Sequence, residues 1–422
     1  MERLLLILLI TTNTIVYGGN TKGAGRKPVV HHTVVKTLPP GSKGGNYIPI
    51  MAFVGLPQYQ TTLARYKEMS ATGITQSYCP FSDVNAMQTA LDLAQKSGIK
   101  LFITCPELTS NTEATVKRFM NHPAVAGYFL SDEPGTKAFP ALAVLVKKIR
   151  AIDDKHICYV NMLPNYAVSD QMGAPTYQAY VDTFIKEVPV QMLSFDNYPV
   201  IGTTNQSIRA GWYNNLEIVA LGAKESHRPF WAFALSCAFA PYPLPTLATL
   251  RLQVYSDLAY GAQGIQYFTY WTLTDPGHND YHEGPMAPDG KKTDSYAKIQ
   301  QMNKEIQGLS GVFLGAKMIS VAHTGNTIPV GTKPLTKLPK PIRSLKTQGL
   351  GAVVSFMQKN GSSYLVVVNR DFTAPMNLAL VLASGVSKVV KNGSMVSLNA
   401  GNNIVNVGPG DVSIYKWSNK LN

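Results

Sequence analysis

Residues 73–105 run GITQSYC, then PFSDVNAMQTALDLAQKSG, then IKLFITC, and this stretch decides the fold. Its two ends, Gly73–Cys79 and Ile99–Cys105, are short and largely apolar without strict alternation, as strands buried on both faces of a parallel sheet are. Between them Val84, Met87, Leu91 and Ala94 recur at helical spacing, with Ser82 placed to cap the helix and Gly98 just past its end. The unit is strand, helix, parallel strand.

Outward from there the unit repeats. Strands are predicted at Ile48–Gly55, Gly73–Cys79, Ile99–Cys105, Val125–Leu130, His156–Met162, Gln191–Asp196, Pro229–Cys237 and Gly264–Trp271. Their starts lie 25 to 38 residues apart, room for a helix in every gap, and a later helix sets Tyr296, Ile299, Met302 and Ile306 on one side. Eight such units over about 260 residues predict a (β/α)8 TIM barrel in preference to an open doubly wound sheet. Past residue 310 the pattern changes. A basic, Pro-rich segment at 332–346 is followed by short strands, Gly351–Met357, Ser363–Asn369, Met376–Leu382, Ser387–Val390 and Val412–Trp417. Asn360-Gly361 and Asn392-Gly393 supply hairpin turns, so a small antiparallel β-sandwich is expected. The organisation is therefore a barrel over residues 47–312 and an accessory β-sandwich over 313–422.

Of the 422 residues 45% are hydrophobic and 15% charged, enough for a sizeable core and too few charges for a long solvated coiled coil. The net charge of +13 is uneven: residues 306–422 hold 12 basic and 2 acidic side chains. That cationic surface is either simply solvated or suited to an anionic polysaccharide or cell envelope; it lacks the aromatic interleaving of a nucleic-acid surface. Arg3, the apolar run Leu4–Ile10 and the small Gly18 and Gly19 mark residues 1–19 as a secretory signal peptide, so the chain is expected to be secreted or periplasmic. A Gly-, Pro-, Lys- and Thr-rich arm follows at 20–46, and no stretch is long enough to span a membrane. Cys79, Cys105, Cys158 and Cys237 each lie in or at the end of an apolar segment. They read as buried thiols, with Cys79 and Cys105 the pair best placed if a bridge forms.

In a barrel of this kind chemistry gathers at the C-terminal strand ends. The fourth strand ends Gly-Tyr-Phe-Leu-Ser-Asp132-Glu133-Pro134. Two carboxylates there either cap the next helix and face solvent, or form a site. The fifth strand contributes Asn161, the sixth Asp196-Asn-Tyr198, and the eighth an aromatic run ending in Trp271. The loop beyond it, Asp275 to Pro285, carries His278, Asp280, His282 and Glu283 between Gly and Pro residues that preclude the helix of a His-Glu-x-x-His zinc site. No metal or other cofactor is expected, and nucleophile-elbow, Walker and dinucleotide motifs are absent.

The segment Asn121-His-Pro-Ala-Val-Ala-Gly-Tyr-Phe-Leu-Ser-Asp132-Glu133-Pro134 resembles the strand-four segment of barrel glycoside hydrolases of the clan A type, especially the bacterial β-galactosidase-like groups near glycoside hydrolase family 42. The resemblance implies that Glu133 is the general acid/base and that Asp132 occupies the place of a sugar-binding Asn, able to accept from a hydroxyl but not to donate. It departs at strand seven. That strand, Phe230 to Phe239, carries no carboxylate where the clan places its nucleophile. For the second catalytic group Asp196 ranks ahead of Glu283, with assistance from a substrate N-acetyl group as the remaining candidate. Asp132 is disfavoured because adjacent side chains in an extended strand point to opposite faces. Asp132, Asn161, Tyr198, Trp271 and His282 are the expected sugar contacts. The leading reading is a secreted glycoside hydrolase acting on an oligo- or polysaccharide; the alternative is an inactive barrel that only binds carbohydrate.

Overall fold

A computed structural model describes residues 47–275 and 279–419. The signal peptide, the arm at 20–46 and His278 lie outside the described residues. Eight parallel strands appear in the predicted places: β1 (Ile50–Phe53), β2 (Gln76–Tyr78), β3 (Lys100–Ile103), β4 (Val125–Asp132), β5 (Ile157–Asn161), β6 (Leu193–Phe195), β7 (Phe230–Leu235) and β8 (Gly264–Phe268). They join in the order β5-β4-β3-β2-β1-β8-β7-β6. A parallel bridge between Met162 and Phe195 brings β5 to β6 and closes the barrel.

One long helix follows each strand: α1 (Leu63–Ala71), α2 (Val84–Gln95), α3 (Thr112–Phe119), α4 (Phe139–Ile152), α5 (Tyr177–Glu187), α6 (Trp212–Glu225), α7 (Leu247–Ala259) and α8 (Asp294–Gly308). In α2 the buried face is Met87, Ala90, Leu91 and Ala94. Its cap is Asp83, one residue beyond the expected Ser82, because the carboxylate accepts from both the Asn85 and Ala86 amides while Ser82 donates to it at 2.7 Å.

Strand pleating divides the barrel's apolar residues into two layers. Ile50, Ala52, Leu101, Ile103, Val160, Ala232 and Ile265 face the helices. Met51, Phe53, Phe102, Ile157, Tyr159, Trp231, Phe233 and Leu235 fill the interior. At its base the Trp231 indole occupies the space beside Gly264, where a Cβ would lie 2.6 Å from the ring. The barrel is thus a packed core with its open end at the strand C-termini.

The C-terminal strands are β9 (Lys317–His323), β10 (Ile342–Lys346), β11 (Ala352–Lys359), β12 (Ser362–Asn369), β13 (Met376–Leu382), β14 (Ser387–Val389), β15 (Met395–Ser397), β16 (Gly401–Val407) and β17 (Val412–Ser418). They form a six-stranded sheet, β9-β11-β12-β17-β14-β15, and a three-stranded one, β10-β13-β16. Ile342, Val354, Leu365, Leu378, Leu380 and Trp417 pack between them, giving the expected sandwich. The other face of the larger sheet, with Val353, Val366, Val368 and Ile414, joins the barrel's own core cluster against α7. All four cysteines are buried free thiols.

Candidate active site

The site begins with an irregularity in β4. Pairing with β5 slips between Phe129 and Ser131, after which Asp132 lies opposite Asn161. The next residue, Glu133, has φ +47°, and its amide donates to the Asn161 carbonyl at 2.8 Å. A side chain in that left-handed region costs about 1–3 kcal/mol, and such strain persists where surrounding contacts enforce it. Here Pro134 is held from the other side, its carbonyl accepting from the Tyr180 hydroxyl at 2.8 Å. Slip and turn together break the alternation of an extended strand, so Asp132 and Glu133 do not diverge as expected. Both reach one cluster.

Asn161 is its centre. Its Nδ2 donates to Asp132 Oδ1 at 3.1 Å and to Asp196 Oδ1 at 2.8 Å. Its Oδ1 accepts from Ser194 Oγ at 2.9 Å, Ser194 accepts from Gln266 Nε2 at 2.9 Å, and Gln266 Oε1 accepts from the Tyr159 hydroxyl at 2.5 Å. This chain from the barrel interior fixes which way the amide faces. Asp196 follows β6 and is buried, and its carboxyl also bonds to that of Glu133. Burial raises the Asp196 pKa to about 6 against the bonds from Asn161 and Glu133, which lower it. Asp132 is open to solvent along the cleft and walled by protein elsewhere. That crowding and the Asp196 charge raise its pKa above the usual carboxylate range.

Three side chains beside Asp196 carry no signal in the sequence. Arg209 stacks over the Tyr166 ring at 4.3 Å and donates to the Tyr242 hydroxyl at 2.8 Å. They lie on loops after β5, β6 and β7, which linear reading does not bring together. Tyr198 is buried, edge-on to Tyr242 at 5.6 Å. Half-buried aromatics form the mouth: Tyr78 stacks on Phe129 at 3.9 Å, and Phe239 and Phe268 meet Tyr281 at 4.7 and 5.9 Å.

Other expected contacts fall elsewhere. Trp271 is 3% exposed, beneath Arg65 at 5.5 Å and Tyr59 at 6.5 Å, so its ring is not presented to the cleft as a sugar platform. Packing overrides its strand-end position, and the mouth aromatics offer the open ring faces instead. His282 is exposed and its backbone pairs with Ala238, while Nδ1 bonds to the Asp280 carbonyl at 2.7 Å. Glu283 is exposed on the same loop, with φ +55°. Asp132, Glu133, Asn161 and Asp196 are the predicted residues that the structure brings together. At the end of β7, Ser236 donates to the Thr269 carbonyl at 2.9 Å and Cys237 is fully buried. Among the described residues no group of three or more His, Cys, Asp or Glu could hold a metal ion.

Residues 145–309 match the family model of glycoside hydrolase family 42, described as beta-galactosidase. The match runs from α4 to the end of α8, so it is independent of the strand-four residues that carry the clan A resemblance. None of the curated protein sequences matches. Among solved structures, a beta-galactosidase from Bacillus circulans sp. alkalophilus shares 9% identity over 88% of this chain and 99% of its own, with a TM-score of 0.58. A catalytic mutant of a family 42 beta-galactosidase from G. stearothermophilus shares 9% identity over 90% of this chain and 99% of its own, also with a TM-score of 0.58. A beta-galactosidase from Marinomonas ef1 (11% identity, TM-score 0.48) aligns over 63% of this chain, which spans only 60% of that enzyme. The chain thus shares the barrel fold of these enzymes, and its residues 145–309 are similar to glycoside hydrolase family 42.

Proposed function

We propose that the protein is an exported glycosidase in which Glu133 is the general acid/base and Asp196 the nucleophile. The observation that carries this is the convergence of Glu133 and Asp196 on Asn161 at the open end of the barrel, Glu133 through its amide and the Asp196 carboxylate through the Asn161 side chain, each at 2.8 Å. Glycosidic cleavage needs a protonated carboxyl at the leaving oxygen and a carboxylate facing the anomeric carbon. Glu133 gives its proton to the leaving oxygen while Asp196 attacks the anomeric carbon, forming a glycosyl ester. Glu133, now ionised, then takes a proton from water, which attacks that carbon and frees Asp196. Retaining enzymes hold the two carboxyls about 5–5.5 Å apart and inverting ones about 6.5–9.5 Å, and two carboxyls this close to each other are nearer the retaining geometry. Asp132, Tyr198 and the mouth aromatics border the sugar subsite. The signal peptide directs export, and the cationic C-terminal region suits a polymer carrying acidic groups.

β-Galactosides head the substrate panel because the similar proteins are described as beta-galactosidases. Glu133→Gln should lower kcat on aryl glycosides by about 10²- to 10⁴-fold with the fold intact. Asp196→Asn should be comparably impaired and recover turnover with azide, yielding a glycosyl azide. Near-normal turnover in either variant would remove that residue from the mechanism, and an inert wild-type chain that still binds sugars would leave a carbohydrate-binding barrel.

A further inference from the structure

The small sheet β10-β13-β16 turns one face to the sandwich core and the other to solvent. Leu378, Leu380 and Leu382 point inward, leaving Asn377, Ala379 and Val381 outside. Register sets Asn406, Ile404 and Asn402 of β16 beside them in turn. On the other edge, pairing of β10 with β13 shifts between Ile342 and Ser344, so Arg343 is an extra residue in β10. This bulge resets the alternation. Ile342 is buried, Leu345 packs on the sandwich core, and Arg343 and Lys346 are both exposed. Lys337 and Lys340, before a turn in which the Ile342 amide donates to the Pro339 carbonyl at 2.9 Å, are exposed too. Four exposed cations thus lie along this edge, two on either side of the turn.

Among the described residues none of the four is paired with a carboxylate. The only acidic residues beyond residue 305 are Asp371 and Asp411. Asp371 accepts from Thr373 and Ala374 in a turn, and Asp411 is paired with Lys391. Next to the cations lies a ladder of amides: Asn406 Nδ2 donates to Asn377 Oδ1 at 3.2 Å, and Asn377 Nδ2 to Gln348 Oε1 at 3.3 Å.

We propose that this sheet and its edge dock an acidic polysaccharide, with uronate carboxylates on Arg343 and Lys346 and, beyond the turn, on Lys337 and Lys340, and sugar hydroxyls on the amide ladder. The juxtaposition suits such a polymer: cations recognise its acidic groups, and amides both donate to and accept from its hydroxyls. The sheet's outer face has no aromatic on which nucleic-acid bases could stack, and Ile404 is its one exposed large apolar side chain, too little to enter a bilayer. The inference rests on the glycosidase reading only for its biological sense; docking itself requires no catalysis.

The test is affinity electrophoresis of the full chain in gels containing polygalacturonate, neutral galactan or no polymer. Polygalacturonate should retard the chain, galactan should not, and added salt should weaken the effect. Arg343→Gln with Lys346→Gln should lower affinity about tenfold or more, while hydrolysis of a small aryl glycoside stays unchanged. Lys337→Gln with Lys340→Gln is the second pair should the first not fold. Lys147→Gln with Lys148→Gln removes the same charge from the exposed side of α4 and should change nothing. Equal loss in that control, or equal affinity for duplex DNA or phosphatidylserine vesicles, would overturn the proposal. Polymer binding by a chain that cleaves no glycoside would keep the docking face and remove the catalytic reading; cleavage without retardation would do the reverse.

Discussion

Asn161 shows how one side chain can organise two carboxyls. Both its amide hydrogens are spent on Asp132 and Asp196, and its oxygen is taken by Ser194. It is therefore a positioning residue, with no donor left for a sugar. Asn161→Ala should lower kcat by on the order of 100-fold, since small misplacements of reacting groups cost that much. The pH profile separates this role from sugar binding. In the wild type kcat/KM should rise as pH rises through about 6, where Asp196 ionises. Losing the Asn161 bond removes a stabiliser of the charged form, so that limb should move to higher pH in the variant. A variant with raised KM, unchanged kcat and an unmoved limb would mean that Asn161 only binds sugar. Glu133 and Asp196 were legible as acidic residues ending apolar strands. Their contact was not, because it depends on a one-residue slip in β4 and a left-handed turn at Glu133 that leave no mark on composition or period.

Elements differ in how openly their sequences declare them. The eight barrel strands are apolar because helices cover one face and the packed interior the other, so each reads as a short apolar run. β10 and β16 are half-exposed, one with Arg343 and Lys346 outward and the other with Asn402 and Asn406, residues that disfavour strands when taken alone. Register with β13 decides them, and register is a tertiary property. The barrel base offers a test at this scale. Gly264 has ordinary strand backbone, and its missing side chain makes room for Trp231. Gly264→Val would force the indole aside in a core without slack, so stability should fall by about 1–3 kcal/mol or more, read as a lower denaturant midpoint at unchanged m. An unchanged midpoint would show that the barrel base relaxes freely.

Barrel and sandwich are held as one body by a buried apolar face and by one charged cluster at its edge. Glu305 of α8 receives two bonds from Arg251 of α7, at 2.5 and 3.0 Å, one from the Tyr255 hydroxyl at 2.7 Å, and a contact from Lys391 of the sandwich at 3.0 Å. Lys391 also meets Asp411 at 2.8 Å, so the cluster crosses the junction. Burial alone would raise the Glu305 pKa, but Arg251, Tyr255 and Lys391 outweigh it and hold it near 2, below its ordinary value of 4.5. A carboxyl depressed in the folded state stabilises the fold fully above its unfolded pKa, and that stability is lost as pH falls towards the folded value. Glu305→Gln should therefore be less stable than wild type at pH 7, by about 3–5 kcal/mol if Arg251 and Lys391 are left uncompensated. The difference should narrow below about pH 4.5 and be largely gone near pH 2. Chemical denaturation of both proteins across that range measures it. A gap independent of pH would mean that Glu305 acts through shape rather than charge, and the junction would then rest on its apolar face alone.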